Sequence, residues 1–146
     1  MLQHIEEKTL PYTQKQMFDL VADVDQYKDF APWCMASRIN KWEEKNIFYA
    51  DLVVGYNMFR ERFSSKVVLE PHQRLTIEYL SGPLKHLKNE WSFIANKDGT
   101  CTIHFNVEFE FKNILLQALA TRFFNKVVKR MVSSFEKRAC DLYGKP

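Results

Sequence analysis

The sequence predicts an α+β fold in which a curved antiparallel sheet wraps around one long C-terminal helix and leaves an apolar cavity between them. Three observations predict it. Residues 38–111 alternate apolar and polar side chains with a period of two, punctuated by turn residues. Residues 114–142 change to helical spacing, with an apolar stripe wider than coverage of one sheet face needs. No other stretch is long enough to cover the apolar face of such a meander. With 146 residues, 46% of them apolar and 27% charged, the chain reads as one soluble domain over 1–146.

The elements follow in order. Residues 2–9 read as a first strand. Thr13 and Gln16 have capping-box spacing, in which hydroxyl and amide each satisfy a free backbone N–H. The helix they open carries Met17, Phe18, Val21 and Val24 on one face. Asp23 and Asp25 mark a second, short helix that Pro32 ends. In the meander, Ala50, Leu52 and Val54 alternate with Asp51 and Val53, and Gly55 opens a turn. Phe59, Glu61, Phe63, Ser65, Val67 and Leu69 share a face of the next strand, which Pro71 closes. Leu75, Ile77 and Tyr79 lead to the turn Ser81-Gly82-Pro83, and Leu87, Asn89, Trp91 and Phe93 to the hairpin signal Asp98-Gly99. In the last strand Cys101, Ile103, Phe105, Val107, Phe109 and Phe111 face one way and Thr102, His104, Asn106, Glu108 and Glu110 the other, giving one apolar and one wet face. Asn113 caps the long helix, whose basic residues Arg122, Lys126, Lys129, Arg130, Lys137 and Arg138 lie outside the stripe.

Charge is distributed unevenly. Residues 1–111 carry 13 basic and 16 acidic side chains; residues 112–146 carry 8 basic and 2 acidic. A basic helix suits an anionic partner, and a solvated helix face is the competing reading. Cys34, Cys101 and Cys140 are widely spaced and match no zinc or redox motif, which points to free thiols in a reducing compartment and to no metal site. No apolar run is long enough to span a membrane. The chain starts almost directly in a strand, so any targeting segment is expected to have been removed or never to have existed.

No catalytic constellation is legible, and the protein is not expected to be an enzyme. There is no G-x-S-x-G elbow, phosphate-cradling loop or H-E-x-x-H. The pairs Glu6-Glu7 and Glu43-Glu44 sit on strands, where neighbours face opposite ways. A cavity is the better-supported feature. Its expected walls are Leu52, Val54, Phe63, Tyr79, Trp91, Phe105, Val107 and Phe109 from the sheet, with Leu116, Leu119, Ala120, Phe123, Phe124, Val127 and Met131 from the helix. Core and cavity wall read alike in sequence, so each of these equally suits simple packing.

One stretch is more specific. Asp23-Val24-Asp25-Gln26-Tyr27-Lys28-Asp29-Phe30-Ala31-Pro32-Trp33-Cys34 resembles a signature of the coenzyme Q-binding protein family, within the START-like, helix-grip superfamily of polyketide cyclase and lipid-transport domains. Residues 50–56, residues 61–67, the turn Ser81-Gly82-Pro83-Leu84 with Trp91 downstream, and the Phe109-Glu110-Phe111 end of the last strand extend the likeness over roughly residues 3–140. Lys28 and Ala31 depart from it, standing where Pro and Leu are usual.

The resemblance implies a ubiquinone-binding lipid chaperone that supports respiratory electron transport and ubiquinone biosynthesis. It would lie peripherally on the matrix side of the mitochondrial inner membrane, with ubiquinone as bound ligand and no catalytic cofactor. Glu61, Tyr79 and Asn89 are candidates to orient a quinone head group, because a polar group on an apolar face needs a partner. For Glu61 an ion pair with a nearby arginine is the competing reading. Leu84, Lys85, Leu115, Arg122, Lys126, Lys129 and Arg130 are candidates for contact with an anionic membrane. The alternative is a ribosome-associated regulator like the bacterial toxin branch of the same fold. Against it, aromatic side chains are not interleaved with the basic ones, so nucleic acid is not the expected partner. A cyclase using the cavity as a reaction vessel would need a convergent acid–base pair there.

Overall fold

The computed structural model describes residues 1–56 and 59–145. Seven strands form a single antiparallel sheet in the order β1-β7-β6-β5-β4-β3-β2. The strands are β1 (Leu2–Leu10), β2 (Cys34–Glu44), β3 (Ile47–Tyr56), β4 (Phe59–Glu70), β5 (Arg74–Ser81), β6 (Leu84–Ala95) and β7 (Cys101–Phe111). Helices α1 (Gln14–Ala22) and α2 (Tyr27–Phe30), joined by a 3-10 turn at Val24–Gln26, separate β1 from β2. Helix α3 (Ile114–Tyr143) closes the chain; at 30 residues it is about 45 Å long. The meander is consecutive from β2 to β7, and β1 returns to pair with β7, so chain-adjacent strands are neighbours throughout except at β1.

Local chemistry sets the element ends. Thr13 and Gln16 form the capping box of α1, the Thr13 hydroxyl accepting from Gln16 N–H and the Gln16 amide oxygen from Thr13 N–H. The Asn113 side chain accepts from Leu115 N–H and Leu116 N–H at the start of α3. Val24 lies in the 3-10 turn rather than in α1, because Asp23 already ends that helix. Gly55 lies inside β3 instead of opening a turn: the Met35 side chain crosses it, leaving no room for a Cβ. Strand β2 begins at Cys34, four residues before the regular alternation does, and its bulges against β3 hide the pattern.

The core sits where α1 and the C-terminal half of α3 meet the inner face of the sheet. Met17, Val21, Leu75, Cys101 and Ala139 are sealed from solvent. Phe135 packs edge-on against Tyr27 and Phe30, at 5.5 and 5.1 Å between ring centroids, and lies 5.2 Å from Trp91.

Candidate functional site

The buried side chains of helix α3, Val128, Phe135 and Ala139, all lie from its middle to its C-terminal end. Phe135 and Ala139 are buried, whereas Leu116, Leu119, Ala120, Phe123, Phe124 and Val127 are half-buried. Those six face a cavity of about 200 Å³. Its other wall comes from Val54 on β3, Phe59, Glu61 and Phe63 on β4, and Phe109 and Phe111 on β7, with Trp33 from the turn after α2. Strands far apart in the sheet order reach one cavity because the sheet curls around the helix. In-register pairing of β3 and β4 sets Val54 beside Glu61 and Leu52 beside Phe63.

The expected walls divide in two. Val54, Phe63, Phe109, Leu116, Leu119, Ala120, Phe123, Phe124 and Val127 line the cavity. Leu52, Tyr79, Trp91, Phe105, Val107 and Met131 do not. Trp91, Phe105 and Val107 are buried core residues, and Trp91 and Phe105 lie 4.5 Å apart over a separate void of about 30 Å³ beside Lys8 and Glu136. Leu52 and Met131 pack against the core. Strand alternation assigns the five sheet residues among these to the inner face; it carries nothing about where along the strand the helix touches down.

The head-group candidates separate as well. The Tyr79 hydroxyl accepts the Leu84 backbone N–H at 2.9 Å, and Asn89 Oδ1 accepts the Trp91 indole N–H at 3.1 Å, so each is committed to local structure. Glu61 lines the cavity and its side chain makes no hydrogen bond or ion pair among the described residues. The ion pair with a neighbouring arginine does not form, because alternation turns Arg60 and Arg62 to the outer face. There Arg62 pairs with Asp51. Burial alone would raise the Asp51 carboxyl; hydrogen bonds from Arg62, Ser64 and Asn40 outweigh it and hold the group down to about 2.

Trp33, Phe59 and Phe111 line the cavity although the sequence reading did not place them there. The last two extend the inner faces of β4 and β7 by one more alternation, a usable signal. Trp33 lay in the Pro-Trp-Cys stretch but in no periodic element. It adopts a left-handed φ of 63°, its carbonyl accepts the Gly55 N–H at 2.9 Å, and the Arg130 guanidinium lies 5.3 Å from its ring centroid. The neighbouring Cys34 thiol is pushed up by burial, which suits a structural role.

Outside the cavity, Lys85, Leu115, Arg122, Lys126, Lys129 and Arg130 are exposed. Ile114 and Leu115 are 84% and 75% exposed at the tip of α3, the end nearer the cavity. Leu84 is a correction: it is 3% exposed, held inward by the Tyr79 hydroxyl on its backbone, and cannot touch a membrane. Among the described residues, no cluster could hold a metal ion and no helix is long and apolar enough to cross a membrane. Glu61 is the one ionisable group among the described residues lining the cavity, so the acid–base pair a cyclase would use is not assembled from them.

Residues 10–136 match the model of the family described as polyketide cyclase / dehydrase and lipid transport. A Xenopus laevis protein named coenzyme Q-binding protein COQ10 homolog B, mitochondrial, is 38% identical over 99% of this chain and 60% of its own length. The chain thus spans less than two thirds of that relative's length. The ribosome association toxin RatA of Pseudomonas aeruginosa is 33% identical over 99% of this chain and 100% of its own. The solution structure of the 18 kDa protein CC1736 from Caulobacter crescentus is 33% identical, covers 99% of this chain and 100% of that one, and superposes with a TM-score of 0.79.

Proposed function

This chain belongs to the polyketide cyclase / dehydrase and lipid transport family, and within it we propose that the protein binds ubiquinone in the α3 cavity as a non-catalytic lipid chaperone. The observation that carries the reading is the cavity, whose lining among the described residues is apolar but for Glu61, in a chain 38% identical to a coenzyme Q-binding protein. Each buried CH₂ contributes roughly 0.8 kcal/mol, so a prenyl chain supplies affinity without polar contacts. At about 200 Å³ the cavity is smaller than usual sites for drug-sized ligands, so a long prenyl tail must run out between α3 and the sheet.

The exposed tip Ile114-Leu115 and the cations Arg122, Lys126, Lys129 and Arg130 would face an anionic bilayer while the tail passes. In this reading the site of action is the matrix side of the mitochondrial inner membrane, bound peripherally, in support of respiratory electron transport and ubiquinone biosynthesis. A second reading, ribosome association, is favoured by the end-to-end match to the Pseudomonas toxin.

Organic extraction of the purified protein followed by mass spectrometry tests the first reading. Ubiquinone near one equivalent is expected, and Ala120→Phe, which fills the cavity from α3, should expel it without unfolding the protein. Extraction of phospholipid instead would withdraw the quinone. An empty cavity that stays empty with added ubiquinone, together with cosedimentation with ribosomal subunits, would favour the second reading.

A further inference from the structure

Glu61 is the one ionisable residue among the described residues that line the α3 cavity. It stands on β4 between Phe59 and Phe63, lines a cavity whose other described walls are apolar, and its side chain makes no ion pair among the described residues. Arg60 and Arg62, its chain neighbours, face the opposite side of the sheet, and Arg62 is held by Asp51. Among the described residues no side chain or backbone group takes up the hydrogen-bonding capacity of its carboxylate.

The chemistry of that capacity is one-sided. An ionised carboxylate accepts hydrogen bonds and donates none. A quinone ring carries two carbonyl oxygens, which also only accept, so a quinone against Glu61 sets two acceptors face to face. The two-electron, two-proton reduced ring carries two phenolic hydroxyls, and each donates. A hydroxyl-to-carboxylate bond is charge-assisted and among the stronger hydrogen bonds, and low polarity around it strengthens it further.

We propose that Glu61 makes this cavity selective for the reduced, hydroquinone form of its ligand over the quinone. By the same chemistry it selects against apolar-tailed molecules with an anionic head. The inference rests on the quinone reading above and adds a redox preference to it. The protein would then hold the reduced carrier with one of its two hydroxyls donated to Glu61.

Anaerobic titration of the full chain at pH 7.5 with a decyl-tailed ubiquinone analogue, in its oxidised form and after chemical reduction, tests this by calorimetry. The wild-type protein should bind the hydroquinone about tenfold more tightly. Glu61→Gln, whose amide both donates and accepts, should bring the two forms within about twofold. Its melting temperature reports folding. Equal wild-type affinity for the two forms would overturn the preference and leave the quinone reading standing. Binding of neither form, with palmitate bound instead, would overturn both. A preference that survives intact in folded Glu61→Gln would overturn the assignment to Glu61.

Discussion

At the scale of single residues, the outer face of β3 and β4 and the β5–β6 turn are the places where one group decides stability. Asp51 accepts from the Ser64 hydroxyl at 2.7 Å and pairs with Arg62. Because its carboxyl is held at about 2 in the fold and is near 3.9 when unfolded, its contribution is complete above about pH 4. It is lost as pH falls through about 2. Asp51→Asn should therefore lower stability by on the order of 1 kcal/mol at neutral pH. In denaturant melts run from pH 6 down, the gap to wild type should close between about pH 4 and pH 2; a constant gap would exclude the carboxylate as its source. Gly82 is the other case. Its φ is +145°, and a Cβ would meet the Arg62 carbonyl oxygen at 2.7 Å and the Tyr79 hydroxyl at 2.8 Å. Gly82→Ala should cost about 2 kcal/mol or more, far beyond a helix-surface change, and thermal melting reads it directly. Sequence marked Gly82 as a turn; that the Tyr79 hydroxyl closes that turn, and so is withdrawn from any ligand, comes only from the fold.

At the scale of elements, α3 does two jobs with one uninterrupted stripe. Its apolar positions repeat without a break from Leu116 to Ala139, so periodicity makes the helix legible and its cap at Asn113 with it. Periodicity does not separate the half that packs from the half that stands off, because Phe, Leu and Val serve both. The separation is made elsewhere, by Tyr27, Phe30 and Trp91, which give Phe135 something to press against. Phe124, one of the comparable rings at the other end, lies 5.7 Å from Phe109 and borders empty space. Truncation should expose the difference. Phe135→Ala should cost about 3–5 kcal/mol, the usual loss for a packed core ring. Leu119→Ala, beside a cavity that already exists, should cost about 1–2 kcal/mol and enlarge the site. Equal losses in urea unfolding would mean that α3 is packed evenly along its length.

At the scale of the whole molecule, the separation of charge was fully legible: the last 35 residues hold 8 basic and 2 acidic side chains, the rest 13 and 16. What sequence withheld was which of those charges are free to act. Lys8 and Glu136 close one side of the small inner void, and Lys85 sits 3.7 Å from Glu110, so these charges are largely answered within the molecule. Lys126 and Lys129 are exposed on the α3 face that leads from the Ile114-Leu115 tip. Such a surface would bind an anionic bilayer by two separable terms: a screened attraction of about 1 kcal/mol per cation and an apolar insertion that salt does not weaken. Flotation with cardiolipin-containing vesicles separates them. Lys126→Glu with Lys129→Glu should reduce bound protein at least tenfold in 50 mM salt and should matter much less in 500 mM. Ile114→Ser with Leu115→Ser should reduce binding at both salts, and neither pair should move the melting temperature by more than a degree or two, since all four side chains lie in solvent. If neither pair changes flotation, the bilayer meets another face, and the path for a prenyl tail out of the α3 cavity has to be sought there.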